Sequence, residues 1–461
     1  MPRTAERSLW AWAGLGLAGS VLVALAGPGM AGGPVRWWFH PTLGVAVFYA
    51  GIAALIVSWL ALGRVGLPPR RLWIVGALWC APLALTAPLF SQDVYSYLAQ
   101  GTIVHLGLDP YRDAPTVLAQ HGHAHVLGAV SPFWRHTTAP YGPLFLWIVS
   151  GLAAVAGPHL VLGALLIRAL ELVGLILLAV FVPRLASSLG ADAGRATWWV
   201  LTSPLVLLSL VAAAHNDLLM IGLLAAGVTL AVEQRTLPAI VLCALAATIK
   251  LPAAAAIPFI LVAEGDRRTA LRGVVIAVGV VVAVSLISGL GFGWLSPSVF
   301  STPGKVRLAI TPATALGWTV AQVVPVGAHG LESALAVAGF AFSVLLGLVL
   351  LWRVRRETLV RYLGIVLLVV AVAGPAAWPW YLTWGLVLLA TTAEHQTSRW
   401  LMLVAAAGAL VVKADGILAF ALPTAPGFLA LYLAAAVVAL RRARRPAIAR
   451  ARLRPRALAG S

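Results

Sequence analysis

The stretch LWIVGALWCAPLALTAPLFSQDVYSY, residues 72–97, decides the fold. It begins with an apolar run, Leu72–Phe90, that is long enough to cross a bilayer as a helix. The run ends at Ser91-Gln92-Asp93, and a polar segment follows as far as residue 141. The pattern therefore predicts a membrane-spanning helix that brings the Asp93 carboxylate to the bilayer surface.

The composition extends this pattern to the whole chain. Of the 461 residues, 61% are hydrophobic and only 10% are charged, whereas soluble domains carry about 25% charged residues. The apolar runs recur at lengths of about 20 residues, too long for the strands of a membrane barrel. We therefore predict an all-α polytopic membrane protein, built as a single integral membrane domain over residues 1–461.

The net charge of +18 comes mainly from arginines in short loops and from the basic tail at residues 441–461. Positive charge in short loops and tails marks the cytoplasmic side of a membrane protein. We expect both termini to be cytoplasmic, and the tail to anchor the topology and to contact anionic lipid. The pattern does not indicate a nucleic-acid partner.

Two topologies remain open from the sequence. If every apolar run crosses, the chain has about fourteen membrane helices; if segments 143–157 and 238–263 only dip into the bilayer, it has about twelve. The second segment is interrupted by Lys250-Leu251-Pro252, and proline ends or kinks a helix. The distribution of arginine favours twelve. This topology places His215-Asn216-Asp217 and Lys250 toward the external side, around a cavity beneath the first external loop.

The same charge rule assigns the two longest loops to the external side of the membrane. Residues 91–141 form a first external loop with amphipathic helices, which we predict to be catalytic, and residues 291–330 form a second external loop. Five of the fourteen acidic residues share cytoplasmic ends with arginines: Glu6, Glu233, Glu264, Asp266 and Glu357. Glu171 follows Arg168 by three positions within an apolar run, so we expect these two to form a buried ion pair.

Four acids remain on the external side: Asp93, Asp109, Asp113 and Asp217. Asp93 is the candidate general base, or alternatively only a helix cap. Asp109 lies in Gly107-Leu108-Asp109-Pro110-Tyr111, where it either forms the turn or contacts substrate.

The candidate cations are Lys250, Lys305 and Arg307, which could contact a phosphate group; Lys250 could instead only snorkel to the membrane surface. His121, His123 and His125 alternate along the chain, so a strand would place all three on one side, as a metal site requires. No carboxylate lies at a spacing that would complete such a site. External tyrosines and the Trp378–Trp384 segment could stack on sugar rings or serve as interfacial aromatics.

Six motifs carry a resemblance to a known family, and they are Ser91-Gln92-Asp93-Val94-Tyr95-Ser96-Tyr97, Gly107-Leu108-Asp109-Pro110-Tyr111, Tyr141-Gly142-Pro143-Leu144, His215-Asn216-Asp217, Lys250-Leu251-Pro252 and Pro379-Trp380-Tyr381-Leu382-Thr383-Trp384. In this order they resemble the actinobacterial polyprenol-phosphomannose-dependent α-1,6-mannosyltransferases of the MptA/MptB type. The resemblance implies the GT-C fold, a polyprenyl phosphate-mannose donor, and a mannolipid or α-mannan acceptor of the lipomannan type. It places the reaction on the external face of the cytoplasmic membrane.

The resemblance also implies roles for individual residues. Asp93 occupies the place of the catalytic base in an inverting transfer, and Lys250, Lys305 and Arg307 are the candidates for the donor phosphate. The residues expected to bind substrate are Gln92, Tyr95, Tyr97, Asp109, Tyr111, Tyr141, His215, Asn216, Asp217, Trp380 and Tyr381. Gln92 and Val94 flank Asp93, so a DxD metal pair is absent and no metal or other cofactor is expected to be required.

Two other classes of function fit the helices. A transporter or flippase for a lipid-linked or small polar substrate would also have many helices and broken segments near the middle of the membrane. A non-catalytic subunit that binds a lipid-linked sugar would need Asp93 only as a helix cap.

Overall fold

The computed structural model describes residues 3–30, 41–296, 311–324, 328–374 and 377–411, together with residue 414 and isolated positions between 426 and 437. Within this part of the chain the regular structure is entirely helical, as predicted. Six of its helices are long and apolar enough to cross a membrane. The chain is therefore an all-α, multi-pass membrane protein. The total of twelve to fourteen crossings stays a prediction, because six further apolar helices are only 10–17 residues long.

The described residues between 3 and 296 form thirteen α-helices, some of them very short. They are α1 (Arg3–Met30), α2 (Pro41–Leu62), α3 (Pro69–Leu85), α4 (Asp93–His105), α5 (Ala124–Ala129), α6 (Pro143–Ala156), α7 (Leu160–Ser188), α8 (Ala193–Leu201), α9 (Pro204–Val206), α10 (Asp217–Val232), α11 (Thr236–Ala247), α12 (Ala256–Glu264) and α13 (Arg267–Ile287). A π-helical turn, Leu207–Ala212, follows α9.

The second half contributes α14 (Pro312–Ala321), α15 (Ala328–Trp352), α16 (Leu359–Ala373), α17 (Leu382–Leu389), α18 (Ala393–Gln396) and α19 (Arg399–Val411). Short 3₁₀ turns lie at Pro115–Ala119, Leu251–Ala255, Gly293–Leu295, Arg356–Thr358 and Pro379–Tyr381. The segment Ala193–Ala212 is almost wholly buried and forms the centre of the fold, whereas very little of Gly330–Trp352 is fully buried, as expected for a lipid-facing helix.

Small residues allow the central helices to approach closely. Helices α7 and α10 cross at Gly174 and Gly222, where a Cβ on Gly174 would lie 2.2 Å from the Leu218 carbonyl oxygen. Close backbone approach through small residues is typical of helix pairs in membranes. The crossing fixes the start of α10, and with it Asp217, against α7.

The break predicted at Lys250-Leu251-Pro252 is present, because α11 ends at Ala247 and α12 begins at Ala256. The start of α6 covers this break. The Gly142 and Leu144 N–H groups donate to the carbonyls of Ile249 and Thr248 at 3.0 and 3.1 Å. The two segments expected to dip into the bilayer therefore meet, and their free backbone groups satisfy one another.

One expectation about the helices was wrong. Arg168 and Glu171 do not pair: Arg168 donates to the carbonyls of Ala84, Thr86 and Ala212, and Glu171 accepts the Leu219 N–H. Residue 88 is a proline without an N–H, which leaves the Ala84 carbonyl free for the guanidinium. Nine of the thirteen residues of helix α4 are buried, and the helix contacts α6 and α7.

Candidate active site

Asp93 is the first residue of α4, and its carboxylate does not cap that helix. The Asp93 N–H donates to Ser91 Oγ at 3.0 Å, and Gln92 at the N-cap position makes no side-chain cap bond. The side chain instead points at His215, with Oδ2 at 3.5 Å from Nε2. The side chain keeps 15% of its surface exposed, so Asp93 is both held in place and partly accessible.

His215 is completely buried between backbone and aromatic rings. Its Nδ1 donates to the Ser209 carbonyl, and its ring stacks on Trp380 with centroids 4.0 Å apart. Trp378 stacks on the other side of Trp380, at 4.7 Å. The imidazole orientation is therefore fixed by three neighbours from different parts of the chain.

The π-helical turn explains why the Ser209 carbonyl is available. The Ala213 N–H bonds the Leu208 carbonyl and the Ala214 N–H bonds the Val211 carbonyl, so neither takes the oxygen of Ser209. Ala214 reaches this bond with a left-handed backbone, at φ 53°. Positive φ in residues other than glycine costs roughly 1–3 kcal/mol and concentrates at functional sites. Phe90, just before Asp93, is also left-handed, at φ 65°.

Asp217 and Lys250 form a second charged pair beside the first. Lys250 Nζ lies 2.7 Å from Asp217 Oδ2 and 3.4 Å from Asn216 Oδ1, and Trp384 Nε1 donates to Asp217 Oδ1. Asp217 is fully buried, whereas the Lys250 side chain keeps 12% exposure. A buried carboxylate needs such partners because an unpaired charge there is strongly unfavourable.

Aromatic rings surround the Lys250 ammonium. Its Nζ lies 4.8 Å from the ring centre of Tyr381, 5.7 Å from that of Trp384 and 5.9 Å from that of Tyr141. Tyr97 packs edge-on against Tyr141 at 5.0 Å, and its hydroxyl accepts the Asn216 N–H at 3.4 Å. Rings at these distances favour a cation, so the site holds positive charge at this point.

The electrostatics favour an ionised Asp93. Burial on its own raises the pKa of the Asp93 carboxyl, but the contact with His215 and the charge of Lys250 outweigh it and hold that pKa below its usual value. Asp93 is therefore a carboxylate at neutral pH, the form that a general base requires.

The structure brings most of the predicted site residues together. Asp93, Tyr97, Tyr141, His215, Asn216, Asp217, Lys250, Trp380 and Tyr381 form one cluster through the contacts above. Gln92 and Tyr95 flank Asp93 and are half-buried. Lys305, Arg307 and the basic tail at 441–461 lie outside the described residues, so the predictions about them remain untested.

Asp109 and Tyr111 have structural roles at the edge of this cluster. Asp109 Oδ1 accepts the Tyr111 N–H at 2.9 Å, which is the turn geometry that its sequence context favours. The Tyr111 hydroxyl donates to the Tyr141 carbonyl at 3.0 Å, and its ring is buried. Both residues therefore hold Tyr141 in place.

Ser91 and Ser209 were not named as site residues from the sequence, and Trp384 was named only as part of the Trp378–Trp384 segment that could stack on sugar rings. Trp384 had a detectable signal, because it lies one helical turn after Trp380 and Tyr381 and so faces the same side. Ser209 had none, since it contributes only its backbone carbonyl.

The histidines of the first loop do not form a metal site in the structure. His121 Nδ1 lies 3.0 Å from the Val117 carbonyl, and His123 and His125 are 5.9 Å apart between ring centres. Within the described ranges no group of three His, Cys, Asp or Glu side chains is arranged to bind a metal ion. The independence from metal stays a prediction.

A cavity of about 300 Å³ lies at the opposite end of α7 from this cluster. Its lining includes Ser188, Thr236, Glu264 and Arg356, and Arg356 pairs with Glu264 at 3.2 Å. This is not the cavity expected beneath residues 91–141, which stays a prediction.

Comparisons with known proteins point to one family. Residues 12–265 match the family described as "Alpha-(1->6)-mannopyranosyltransferase, N-terminal domain", and residues 310–444 match the "MptB C-terminal domain". The chain is similar to alpha-(1->6)-mannopyranosyltransferase A of Mycobacterium tuberculosis, with 33% identity over 450 residues, 85% of this chain and 83% of that protein.

Two further relatives agree. The probable alpha-(1->6)-mannopyranosyltransferase of Mycolicibacterium smegmatis is 33% identical over 83% of this chain and 79% of its own length. The A protein of Corynebacterium glutamicum is 31% identical over 54% of this chain and 58% of its own length. No solved structure matches the chain.

Proposed function

We propose that the donor of this enzyme is a polyprenyl phosphate-mannose, starting from the premise that the chain belongs to the α-(1→6)-mannopyranosyltransferase family and is a membrane glycosyltransferase. Family membership makes the chain an enzyme that forms α-1,6-mannosyl linkages. The transporter and the non-catalytic subunit considered from the sequence are therefore not needed. The acceptor in this proposal is a mannoside of an α-1,6-mannan or of a lipomannan-type glycolipid at the external face of the cytoplasmic membrane.

The observation that carries the proposal is the joint placement of Asp93 and Lys250. One is an ionised carboxylate and the other an ammonium whose charge is near enough to lower the pKa of the first. Transfer from a sugar phosphate needs both charges, because a hydroxyl must lose its proton and a phosphate must leave as an anion. The two groups offer these functions within one cluster.

Asp93 acts as the general base in this account. The hydroxyl oxygen of the acceptor attacks the anomeric carbon while the bond to the phosphate breaks, and its proton goes to Asp93. Direct displacement inverts the configuration, so a β-linked donor gives an α product through an oxocarbenium-like transition state. A positioned base of this kind contributes about 10²–10⁴-fold to the rate.

Lys250 stabilises the departing lipid phosphate. An ammonium group has three N–H donors. Two are directed at Asp217 and Asn216, and the third remains for a phosphate oxygen. Asp217 therefore orients the ammonium, while the rings of Tyr381 and Trp384 limit its movement. The aromatic residues nearby offer surfaces on which sugar rings can stack.

The test is an assay of the purified full-length protein with short α-1,6-mannosides as acceptors. Polyprenyl phosphate-mannose, GDP-mannose and free mannose are supplied in parallel, with and without EDTA. We expect a product extended by one α-1,6-linked mannose from the lipid donor alone, and no effect of EDTA. Transfer from GDP-mannose, or a product with retained β configuration, would overturn the proposal.

A further inference from the structure

We propose that His215 takes up the proton that Asp93 removes from the acceptor hydroxyl, so that the base is an Asp93–His215 pair. The proposal rests on the function given above for Asp93. His215 acts through Asp93 and does not touch the reacting atoms, and it is therefore a positioning and proton-storing residue.

The hydrogen bond to Ser209 determines where the protons of His215 lie. A carbonyl oxygen can only accept, so Nδ1 must carry a hydrogen in both charge states of the ring. In the neutral ring, Nε2 then has a free lone pair, and that lone pair faces Asp93 Oδ2 at 3.5 Å. Nε2 has no hydrogen-bond partner within the described residues. Buried polar atoms are rarely left in this state, and a proton between Nε2 and Oδ2 would satisfy both groups.

The surroundings of His215 are suited to hold the positive charge after that transfer. The Trp380 ring stacks on the imidazole at 4.0 Å, and a cation over an indole face is stabilised. The Ser209 carbonyl accepts from Nδ1 and the Asp93 carboxylate faces Nε2. A charge-assisted N–H···O⁻ bond is about 2.7–2.9 Å long, so a small closing movement would complete it.

The step balances without any further reactant. The acceptor oxygen bonds to the anomeric carbon, and the electron pair of the broken carbon–oxygen bond leaves with the lipid phosphate. The acceptor proton passes to an Asp93 oxygen and then to Nε2. Asp93 is again a carboxylate and His215 is an imidazolium, which returns its proton to water through the partly exposed Asp93 before the next turnover.

Other titratable groups around the pair contribute to its pH dependence. They are Lys250 and Asp217 on the adjoining segments, Tyr97 on α4, Tyr141 before α6, Tyr381 before α17 and Glu171 on α7. Lys250 and Asp217 form a pair of their own at 2.7 Å. Asp93 and His215 therefore remain as the groups whose charge changes during the step.

The experiment compares His215→Gln and His215→Asn with the unmodified enzyme. Glutamine can still donate to Asp93, and asparagine can still donate to Ser209, but neither side chain accepts a proton. We expect kcat to fall at least about tenfold in both variants, within the range of general-base effects, while the donor KM changes less than about threefold. The acid-side decline of kcat should also move to lower pH in both, because a carboxylate alone is protonated at lower pH than an imidazole.

His121→Gln is the matched control. His121 Nδ1 also lies within hydrogen-bond distance of a backbone carbonyl, but the residue is exposed in the first loop. Its kcat should be unchanged. If His215→Gln keeps kcat within threefold and the same pH profile, the proposal is wrong. The unmodified enzyme provides a check without any variant: kcat must decline as the pH falls, because a ring that is already an imidazolium cannot take up a second proton, and a flat profile overturns the proposal. Full activity in Asp93→Asn would instead overturn the proposed function itself.

Discussion

Single residues of this site depend on partners that are distant in the sequence. Asp93 was predicted from its own position, because it follows an apolar run and opens a polar loop. Its partner His215 was predicted only as a residue lining the substrate cavity, since the contact forms when α4 and the π-helical turn pack together. Lys250 was predicted as a phosphate ligand, but its pairing with Asp217 could not be predicted, because the two residues lie 33 positions apart on different segments.

The Lys250–Asp217 pair leads to a prediction about stability and donor binding. Lys250→Met leaves the buried Asp217 carboxylate without its cation, and breaking a buried pair in this way costs about 3–5 kcal/mol. The double variant Lys250→Met/Asp217→Asn removes both charges, and its amide oxygen can still accept from Trp384. We expect thermal unfolding to show a large loss of stability in the single variant and recovery in the double variant.

Donor affinity should behave differently from stability in the same variants. The double variant still lacks the ammonium, so titration with polyprenyl phosphate-mannose should show at least a tenfold weaker interaction despite the recovered fold. If the double variant binds donor as tightly as the unmodified protein does, Lys250 has only a structural role.

At the scale of helices, the sequence predicted where a helix is interrupted better than it predicted which side chains contact one another. Proline at 252 identified the interruption of segment 238–263, because a proline lacks the N–H that a helix needs. The i, i+3 spacing of Arg168 and Glu171 suggested a pair, but each side chain bonds backbone groups of other helices instead. Helix α4 buries its polar residues Ser96, Gln100 and Thr102 together with its apolar ones. Spacing within one helix does not reveal which other helices surround it.

The contact between the start of α6 and the break at Lys250 gives an element-scale prediction. A Cβ on Gly142 would lie 2.1 Å from the Thr248 carbonyl oxygen. The φ of Gly142, −73°, suits any residue, so Gly142→Ala acts by steric overlap alone. We expect it to lower the free energy of unfolding by about 1–3 kcal/mol or more and to reduce donor binding, because Lys250 follows the displaced backbone.

Gly151→Ala is the control for this change, since it lies in the same helix with open space around the added carbon. It should leave activity unchanged and raise stability slightly, by up to about 1 kcal/mol. Equal thermal stability of Gly142→Ala and Gly151→Ala would show that the contact between α6 and the break does not hold the site.

At the scale of the whole molecule, both family regions contribute to one site. Residues 12–265 supply Asp93, His215, Asp217 and Lys250, and residues 310–444 supply the Trp380–Trp384 segment. Composition and arginine placement predicted the helical membrane fold, because lipid requires long apolar helices and loop charge sets their orientation. They could not fix the number of crossings, which depends on whether short helices such as α6 cross the bilayer or only enter it.

The long helix α7 separates two ends of the protein that thiol labelling can distinguish. It spans 29 residues, or about 43 Å at 1.5 Å per residue. Both native cysteines are buried and free, so cysteines introduced at the exposed positions Ala124 and Ser188 report on these ends. We expect a membrane-impermeant reagent to label Ala124→Cys in intact cells, and Ser188→Cys only after permeabilisation. Labelling of both in intact cells would contradict the proposed orientation.

Turnover of Asp93→Asn, measured beside its donor affinity, tests the central claim most directly. The amide keeps the shape of the side chain but accepts no proton, so we predict that kcat falls at least about 10³-fold, within the range of general-base effects. The Kd for polyprenyl phosphate-mannose should stay within about threefold, and the control Asp113→Asn in the same loop should keep full activity. Undiminished mannosyl transfer by Asp93→Asn would contradict the account.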